Sequence, residues 1–482
     1  MVRKIDLSSL IQFSIFSLIL VSSILISCFT EKYYFLAAPL LMLGIYLAFI
    51  DIKFIFYVLL FFIPLSIEME LPGGFGTDFP DELLMVLLMG LTFIYLIYNP
   101  AFFNKSLLYN PIILCLAIHF LWILFTTISS SFVLVSVKFS LAKIWYLTVF
   151  VILMSSLIKS IDDYKKIFWI INVPLLFTVL LTLYRHSLDN FSFASVNHTM
   201  YPFYRNHVSY AAILSIWIPF VWLARSWYNR GTIGKYILNI ILVIDVVALY
   251  FSYTRSAWLG LIAAIGITFI IRFRLMKWVL SGAAIAAISF IIYIKSNYKY
   301  IEYAPNFSTT IYHEELGDHL TSTYEMKDLS SAERLYRWVA GFRMWEANPL
   351  VGYGPGNFYN FYKGYTVNAF KTYVSDNPEK STAHNYFILV LVEQGIIGLL
   401  IFLLLTATIF IYAEKLYHKC NQKADKLWIL AIIMSLAALY VNNSLSDMIE
   451  TDKVGTFYFM SIAMLAVLGF KYYPSKEINN SN

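Results

Sequence analysis

The chain has 482 residues, 60% of them hydrophobic and only 13% charged, with a mean hydropathy of +0.69 and a net charge of +6. A soluble domain carries about a quarter charged residues, so this chain has too little polar surface to coat a water-soluble body and lipid must be its main solvent. The positive charge is scattered in short clusters with no basic domain behind it, which argues against nucleic acid as a partner, and Cys28, Cys115 and Cys420 lie too far apart for a disulfide framework or a cysteine metal site.

Apolar runs long enough to span a bilayer, with a few shorter ones, predict helices near residues 10–28, 34–50, 53–66, 83–98, 111–128, 141–158 and 167–184. Others follow near 208–225, 236–253, 256–272, 277–294, 385–412, 427–444 and 455–471. The fold class is therefore all-α, a polytopic transmembrane bundle of about 12–14 spans. The first run, behind "MVRKIDLSSL", has the look of a signal peptide, and "LISC" that of a lipoprotein cleavage box. With so many spans downstream, an uncleaved first helix is the expectation.

Lysine and arginine resist translocation, so basic loops mark the cytoplasmic side. With the N-terminus inside, those loops collect Lys4, Lys105, Lys165, Lys166, Arg225, Arg230, Lys235, Arg272, Lys277, Lys415 and Lys419, among others. Both termini are then cytoplasmic, and the one long hydrophilic segment, about Lys295 to Ala383, falls outside the membrane. It is rich in aromatics, so it is expected to fold. Within it "AERLYRWVAGFRMWEA" sets Leu335, Trp338, Val339, Phe342 and Trp345 on one helical face and Arg334 with Arg337 on another. The expectation is an amphipathic helix lying on the outer membrane surface. The organisation read from this is N-terminal helices over 1–235, core-opening helices over 236–294, an outer loop over 295–384, C-terminal helices over 385–471 and a tail over 472–482.

Few side chains in such a chain can carry chemistry. Arg255, in "YFSYTRSAWLGL", has apolar sequence on both sides, and an arginine at membrane depth costs about 2.5–3.5 kcal/mol, so it should face a partner or a wet cavity; the plainer alternative is an arginine snorkelling from a helix end. Arg334 and Arg337 form a fork suited to phosphate, or else the solvated face of a surface helix. His384 and Asn385 open the apolar run "HNYFILVLVEQGIIGLL". Ser381 or Thr382 would cap that helix and place His384 in its first turn, where free amide groups attract an anion and a histidine near pKa ~6.5 can take a proton. An interfacial histidine with an ordinary hydrogen bond is the alternative.

Deeper in the same run, Glu393 is expected to orient an arginine or a histidine, and Gly395 with Gly398 to let another helix approach. "NPLVGYGPGNFYNFYKGY" lacks the context of a nucleotide loop and reads as an aromatic turn able to contact sugar rings. The "YRNH" stretch adds Arg205 and His207. No metal-ligand spacing and no Ser-His-Asp set stands out, so neither a metal nor another cofactor is expected.

Three stretches in order, "TRSAWLGL", "SSAERLYRWVAGFRMWEANPLVGYGPGNF" and "HNYFILVLVEQGIIG", resemble the motifs of the O-antigen ligase and polymerase superfamily of bacterial membrane glycosyltransferases. The match runs through Arg334, Trp338, Pro349, Gly352 and Gly354, then His384, Asn385, Gly395 and Gly398. The resemblance covers about Tyr250 to Leu400; before that it is architectural. It implies a GT-C-like fold and metal-independent, inverting transfer from a polyprenyl-pyrophosphate-linked glycan to a lipid A-core or glycan acceptor at the outer face of the bacterial inner membrane. By that likeness Arg255 and Arg334 meet the pyrophosphate, His384 acts on the acceptor hydroxyl, and Arg337, Trp338, Asn385, Glu393, Arg205 and His207 line the substrate. A repeat-unit polymerase shares the donor and topology. A polysaccharide transporter or flippase is the reading from another class, disfavoured because the distinctive polar residues crowd toward one side instead of the midplane.

Overall fold

The computed structural model describes residues 7–30, 39, 51–71, 75–296, 329–366 and 382–473. The longer helices are α1 (Leu7–Thr30), α2 (Ile52–Phe62), α3 (Asp81–Tyr98), α4 (Pro111–Ile128), α5 (Val133–Tyr146), α6 (Ile161–Leu188), α7 (His207–Ala224) and α8 (Ile233–Tyr250). They continue with α9 (Arg255–Arg272), α10 (Met276–Lys295), α11 (Leu329–Ala347), α12 (Tyr386–Lys419), α13 (Lys423–Ser444) and α14 (Asp452–Tyr472). Among the described residues, eleven helices are long and apolar enough to cross a membrane, and Ser14–Ser27 and Ile52–Leu65 are shorter apolar ones. Helices dominate because hydrocarbon offers backbone groups no partner outside the chain. The protein is a polytopic helical membrane protein. The predicted segment 34–50, apart from residue 39, lies outside the described residues.

Helices α7, α13 and α14 are buried along most of their length, whereas α10 is almost wholly exposed. The centre is aromatic: Trp217 stacks on Phe168 at 5.6 Å, and Trp428 packs against Tyr164, Phe220 and Trp227. Helix α9 runs along α13, and α4 along α12.

Hydrogen bonds tie the helix ends into two opposite layers. In one layer Lys53 at the start of α2 pairs with Asp163 at the start of α6 at 2.7 Å, Glu414 accepts the Met276 N–H, and Lys471 pairs with Asp425. The other layer holds the ends of α2, α6, α8 and α13 and the starts of α3, α7, α9, α12 and α14. Here Lys453 donates to the carbonyls of Ser66 at 2.8 Å and of Phe203, joining segments remote in sequence. One element was not expected from composition, an antiparallel hairpin of β1 (Ile67–Leu71) and β2 (Phe75–Phe79) with Glu68 opposite Asp78.

Two expectations about this layer need correction. Helix α11 packs against α12 of the bundle, with Leu335, Val339, Ala340 and Met344 buried, so its apolar face meets protein where a lipid surface was expected. Helix α12 is also discontinuous: Gly395 has φ 70° and ψ −175°. A Cβ there would lie 2.1 Å from the Leu350 carbonyl oxygen, so the residue opens a gap for a loop strand and does not serve as a smooth contact for a helix. Gly398 does allow close packing, with Trp122 as its neighbour.

Candidate functional site

The layer of helix ends that includes α7, α9 and α12 brings the separated sequence candidates together. His207 begins α7 and Arg255 begins α9; the Thr254 hydroxyl, one residue before Arg255, donates to the His207 carbonyl at 3.3 Å. The charge of Arg334 on α11 acts on His207 and also on His384. Arg255, His207, Arg334 and His384 therefore share one end of the bundle.

The backbone of this region is strained. Asn190, Phe191, Tyr253 and His384 all have φ between 48° and 54°, a conformation that bulky side chains seldom adopt and that persists only where the surroundings impose it. Tyr253 is held by its hydroxyl, which donates to the Phe191 carbonyl at 2.7 Å, and Phe191 stacks on Phe251 at 4.0 Å. For His384, φ is 48°, and the chain is clamped from two sides. From α11, Arg337 donates to the Thr382 carbonyl at 2.8 Å and the Trp338 indole to the Ala383 carbonyl at 3.2 Å. From the end of α13, the Ser444 carbonyl accepts from the Asn385 amide at 2.9 Å and the Ser446 carbonyl from the Tyr386 N–H at 3.1 Å.

Asn385, not Ser381 or Thr382, caps α12, accepting the Ile388 N–H at 3.1 Å. His384 thus stands just before the helix and not in its first turn. Its side chain keeps 38% exposure, and Nδ1 lies 3.8 Å from Asp447 Oδ1. Asp447 Oδ2 accepts the Thr382 hydroxyl. Burial, and then the Arg337 and Arg334 guanidiniums, hold the imidazole well below its usual range, at about 4. The ring is neutral at pH 7. Burial pushes the Asp447 carboxyl up, against the opposing Thr382 hydrogen bond.

Glu393 does not face an arginine or a histidine. Its Oε2 accepts the Gly356 N–H at 2.8 Å and its Oε1 the Phe358 N–H at 3.0 Å. The turn from Pro349 to Phe358 fills the gap in α12: the Ile396 N–H donates to the Pro349 carbonyl at 2.9 Å, and the Tyr353 and Gly354 N–H groups donate to the carbonyls of Val392 and Glu393. The orphaned backbone groups of the broken helix are satisfied by this strand. Gly352 and Gly354 have φ of 67° and 91°, and their added Cβ atoms would lie within 2.4 Å of Val392 and Ser130 respectively. Tyr353 and Phe358 are buried, so these rings pack inside the protein and are not offered to a sugar.

Two motifs that are remote in sequence thus form one interlocked unit beneath a clamped histidine. Residues 240–403 match the O-antigen ligase family. Over this part of the chain the match supports the O-antigen ligase and polymerase superfamily. No curated protein matches the chain. The O-antigen ligase segment runs from within α8 to within α12 and contains Arg255, Arg334, Arg337, His384 and the glycine turn.

Of the remaining candidates, Arg205 is exposed, and His207 bonds Asn197 at 2.7 Å through Nδ1. Arg337 is buried, with the Tyr362 ring 5.4 Å away, and Trp338 is committed to the Ala383 carbonyl. Their side chains therefore hold the His384 segment in place. Sequence reasoning missed Asp447 and its neighbour Glu450, which pairs with Lys143 at 2.8 Å and accepts the Tyr386 hydroxyl at 2.7 Å. Both lie outside the O-antigen ligase segment. The available signal was "SDMIETDK", four acids and bases in a short connection between two apolar spans. Among the described residues, no three His, Cys, Asp or Glu side chains gather as a metal site requires.

Proposed function

We propose that the protein is a glycosyltransferase that moves a glycan from a polyprenyl-pyrophosphate donor to an acceptor hydroxyl at the outer face of the bacterial inner membrane, in the manner of an O-antigen ligase. The basic residues clustered at the opposite end of the bundle support a cytoplasmic assignment for that end. The observation that carries the reading is His384, neutral and part-exposed, beside Arg334 and Arg337 within the O-antigen ligase segment.

With Nδ1 turned toward Asp447, Nε2 is the nitrogen left to meet an acceptor hydroxyl. The acceptor oxygen attacks the anomeric carbon, its proton passes to Nε2, and the bond from that carbon to the pyrophosphate oxygen breaks with its electron pair on the leaving group. Attack from the opposite face inverts the configuration. Asp447 steadies the imidazolium, and Arg255 with Arg334 meets the charge that develops on the leaving pyrophosphate. At rest burial and then the nearby guanidiniums weaken His384 as a base. The donor's negative charge offsets the guanidiniums and raises its proton affinity, so the base strengthens when there is a sugar to transfer.

The test is transfer in vitro by the purified protein from a defined polyprenyl-pyrophosphate glycan. His384→Ala, Arg255→Ala and Asp447→Asn are expected to insert normally and to lose at least ~100-fold in rate, the typical share of a general base. Wild-type rates in His384→Ala refute the reading. Incubation with lipid-linked repeat alone separates the two branches: elongation without a core acceptor identifies a polymerase.

A further inference from the structure

At the opposite end of the bundle a second feature lies outside the proposed chemistry. Tyr57 of α2, Lys165, Lys166, Trp169 and Ile170 of α6, and Trp227 and Tyr228 after α7 line an open crevice of about 600 Å³. That is within the range of about 300–1,000 Å³ typical of small-molecule sites. It is remote from the candidate active site, because His186, whose ring packs against Phe191 and Tyr253 in that layer, lies twenty residues along α6 from Lys166, about 30 Å of helix.

The lining is amphipathic in an ordered way. Its cationic end is supplied by Lys165 and Lys166, and Arg225 and Lys235 sit at the same end of the bundle, where Lys235 donates to the Arg225 carbonyl. The exposed Asp162 competes for Lys165 at 3.1 Å, and pairs of that kind are worth little. Asp163 is already committed to Lys53. Trp169 and Trp227 supply indoles, the rings that favour the membrane–water boundary. Beyond Ile170, one of the residues lining the crevice, α6 exposes Val173, Phe177, Leu180 and Tyr184. Their spacing is helical, so an apolar stripe continues from the cationic end toward the other leaflet.

We propose that this crevice binds one anionic phospholipid of the leaflet opposite the candidate active site. Its phosphate sits between Lys165 and Lys166, its glycerol region lies against Trp169 and Trp227, and an acyl chain follows the α6 stripe. A soluble anion would use the lysines but gain nothing from the stripe. A zwitterionic lipid would follow the stripe but bring its own ammonium group to the lysines.

The test uses the full chain purified in neutral detergent, with phosphatidylglycerol, phosphatidylcholine or inorganic phosphate added, and reads bound lipid by native mass spectrometry and the unfolding midpoint by fluorimetry. Phosphatidylglycerol is expected to be retained and to raise the midpoint, whereas phosphatidylcholine and phosphate leave it unchanged. The double variant Lys165→Gln, Lys166→Gln should lose about thirtyfold in phosphatidylglycerol retention at low salt. Ile170→Trp, which fills the crevice and keeps both charges, should lose the bound lipid as well. Lys277→Gln removes a cation from the same end on α10, outside the crevice, and should behave as wild type. Equal loss in Lys277→Gln, an equal shift with inorganic phosphate, equal retention of phosphatidylcholine, or undiminished retention in Ile170→Trp each overturns the proposal.

Discussion

Gly395→Ala is the most direct probe of the interlock between α12 and the glycine turn. The backbone there has φ 70° and ψ −175°, a region open almost solely to glycine, where another residue costs of order 1–3 kcal/mol. The new methyl would stand 2.1 Å from the Leu350 carbonyl oxygen and 2.5 Å from the Val351 nitrogen. Both neighbours are backbone and cannot rotate away, so the strand must retreat by about 1 Å. Retreat stretches the bond between the Ile396 N–H and Pro349 carbonyl and its neighbour between Tyr353 and Val392, now 2.9 and 3.1 Å, at about 0.5–1.5 kcal/mol each. The expected loss is therefore about 2–6 kcal/mol. Gly282→Ala in α10 is the control, since its Cβ would meet nothing within 4 Å and the residue is helical; alanine there should be neutral or stabilising by up to about 1 kcal/mol. Unfolding in detergent, followed by fluorimetry or by denaturant titration, measures both. Equal stability of the two variants would refute the interlock.

Glu393→Gln is expected to cost about 1–3 kcal/mol, because the amide keeps one acceptor and turns a donor toward the Gly356 or Phe358 N–H; lost transfer with unchanged stability would return Glu393 to an orienting role. Acidification should destabilise the fold through His384: with its folded value at about 4 and its unfolded value near ~6.5, the unfolded chain binds more protons between those limits, so stability falls as pH drops through that window. His384→Gln should flatten that slope, and an unchanged slope contradicts it. If donor charge restores the base, the acid limb of kcat should lie at higher pH than that of kcat/KM for the donor, and coincident limbs would remove that step. Arg337→Lys should lower the unfolding midpoint because a lysine cannot keep both the Thr382 carbonyl and the Tyr362 ring, whereas Arg334→Lys should weaken donor binding with little change in midpoint; the reverse pattern would exchange their roles.

The bundle was legible because hydrocarbon leaves the chain almost no choice: a long apolar run must be a helix, and its ends must fall where polar residues resume. The places of Arg255, His207 and His384 at the starts of helices were legible for the same reason, each standing at the mouth of such a run. The break at Gly395 was not. "EQGIIGLL" has the composition of an ordinary small-residue seam, and what opens it is a strand some forty residues upstream whose N–H and C=O groups replace the missing helical partners. The same long-range cause defeated the reading of Glu393. An intramembrane carboxylate suggests a charged partner, yet two backbone N–H groups from the inserted turn satisfy it.

The cap was misplaced for a geometric reason. Ser381 and Thr382 have suitable side chains, but Asn385 can bond the Ile388 N–H and the Ser444 carbonyl together, and that pairing turns His384 into the left-handed region just outside the helix. The position of the imidazole is therefore set by contacts its own sequence neighbourhood does not contain. Arg337 and Trp338 hold the carbonyls before it, the end of α13 holds the groups after it, and Asp447 faces its Nδ1. Helix α11, which supplies the first of these, also packs against α12, where a Cβ on Gly341 would lie 2.7 Å from Ile388. The glycine turn leaving α11 locks into the gap at Gly395. A residue in the seam of α12 and a histidine at its mouth are thus held by one rigid assembly, which gives a physical reason for the two motifs to be needed together.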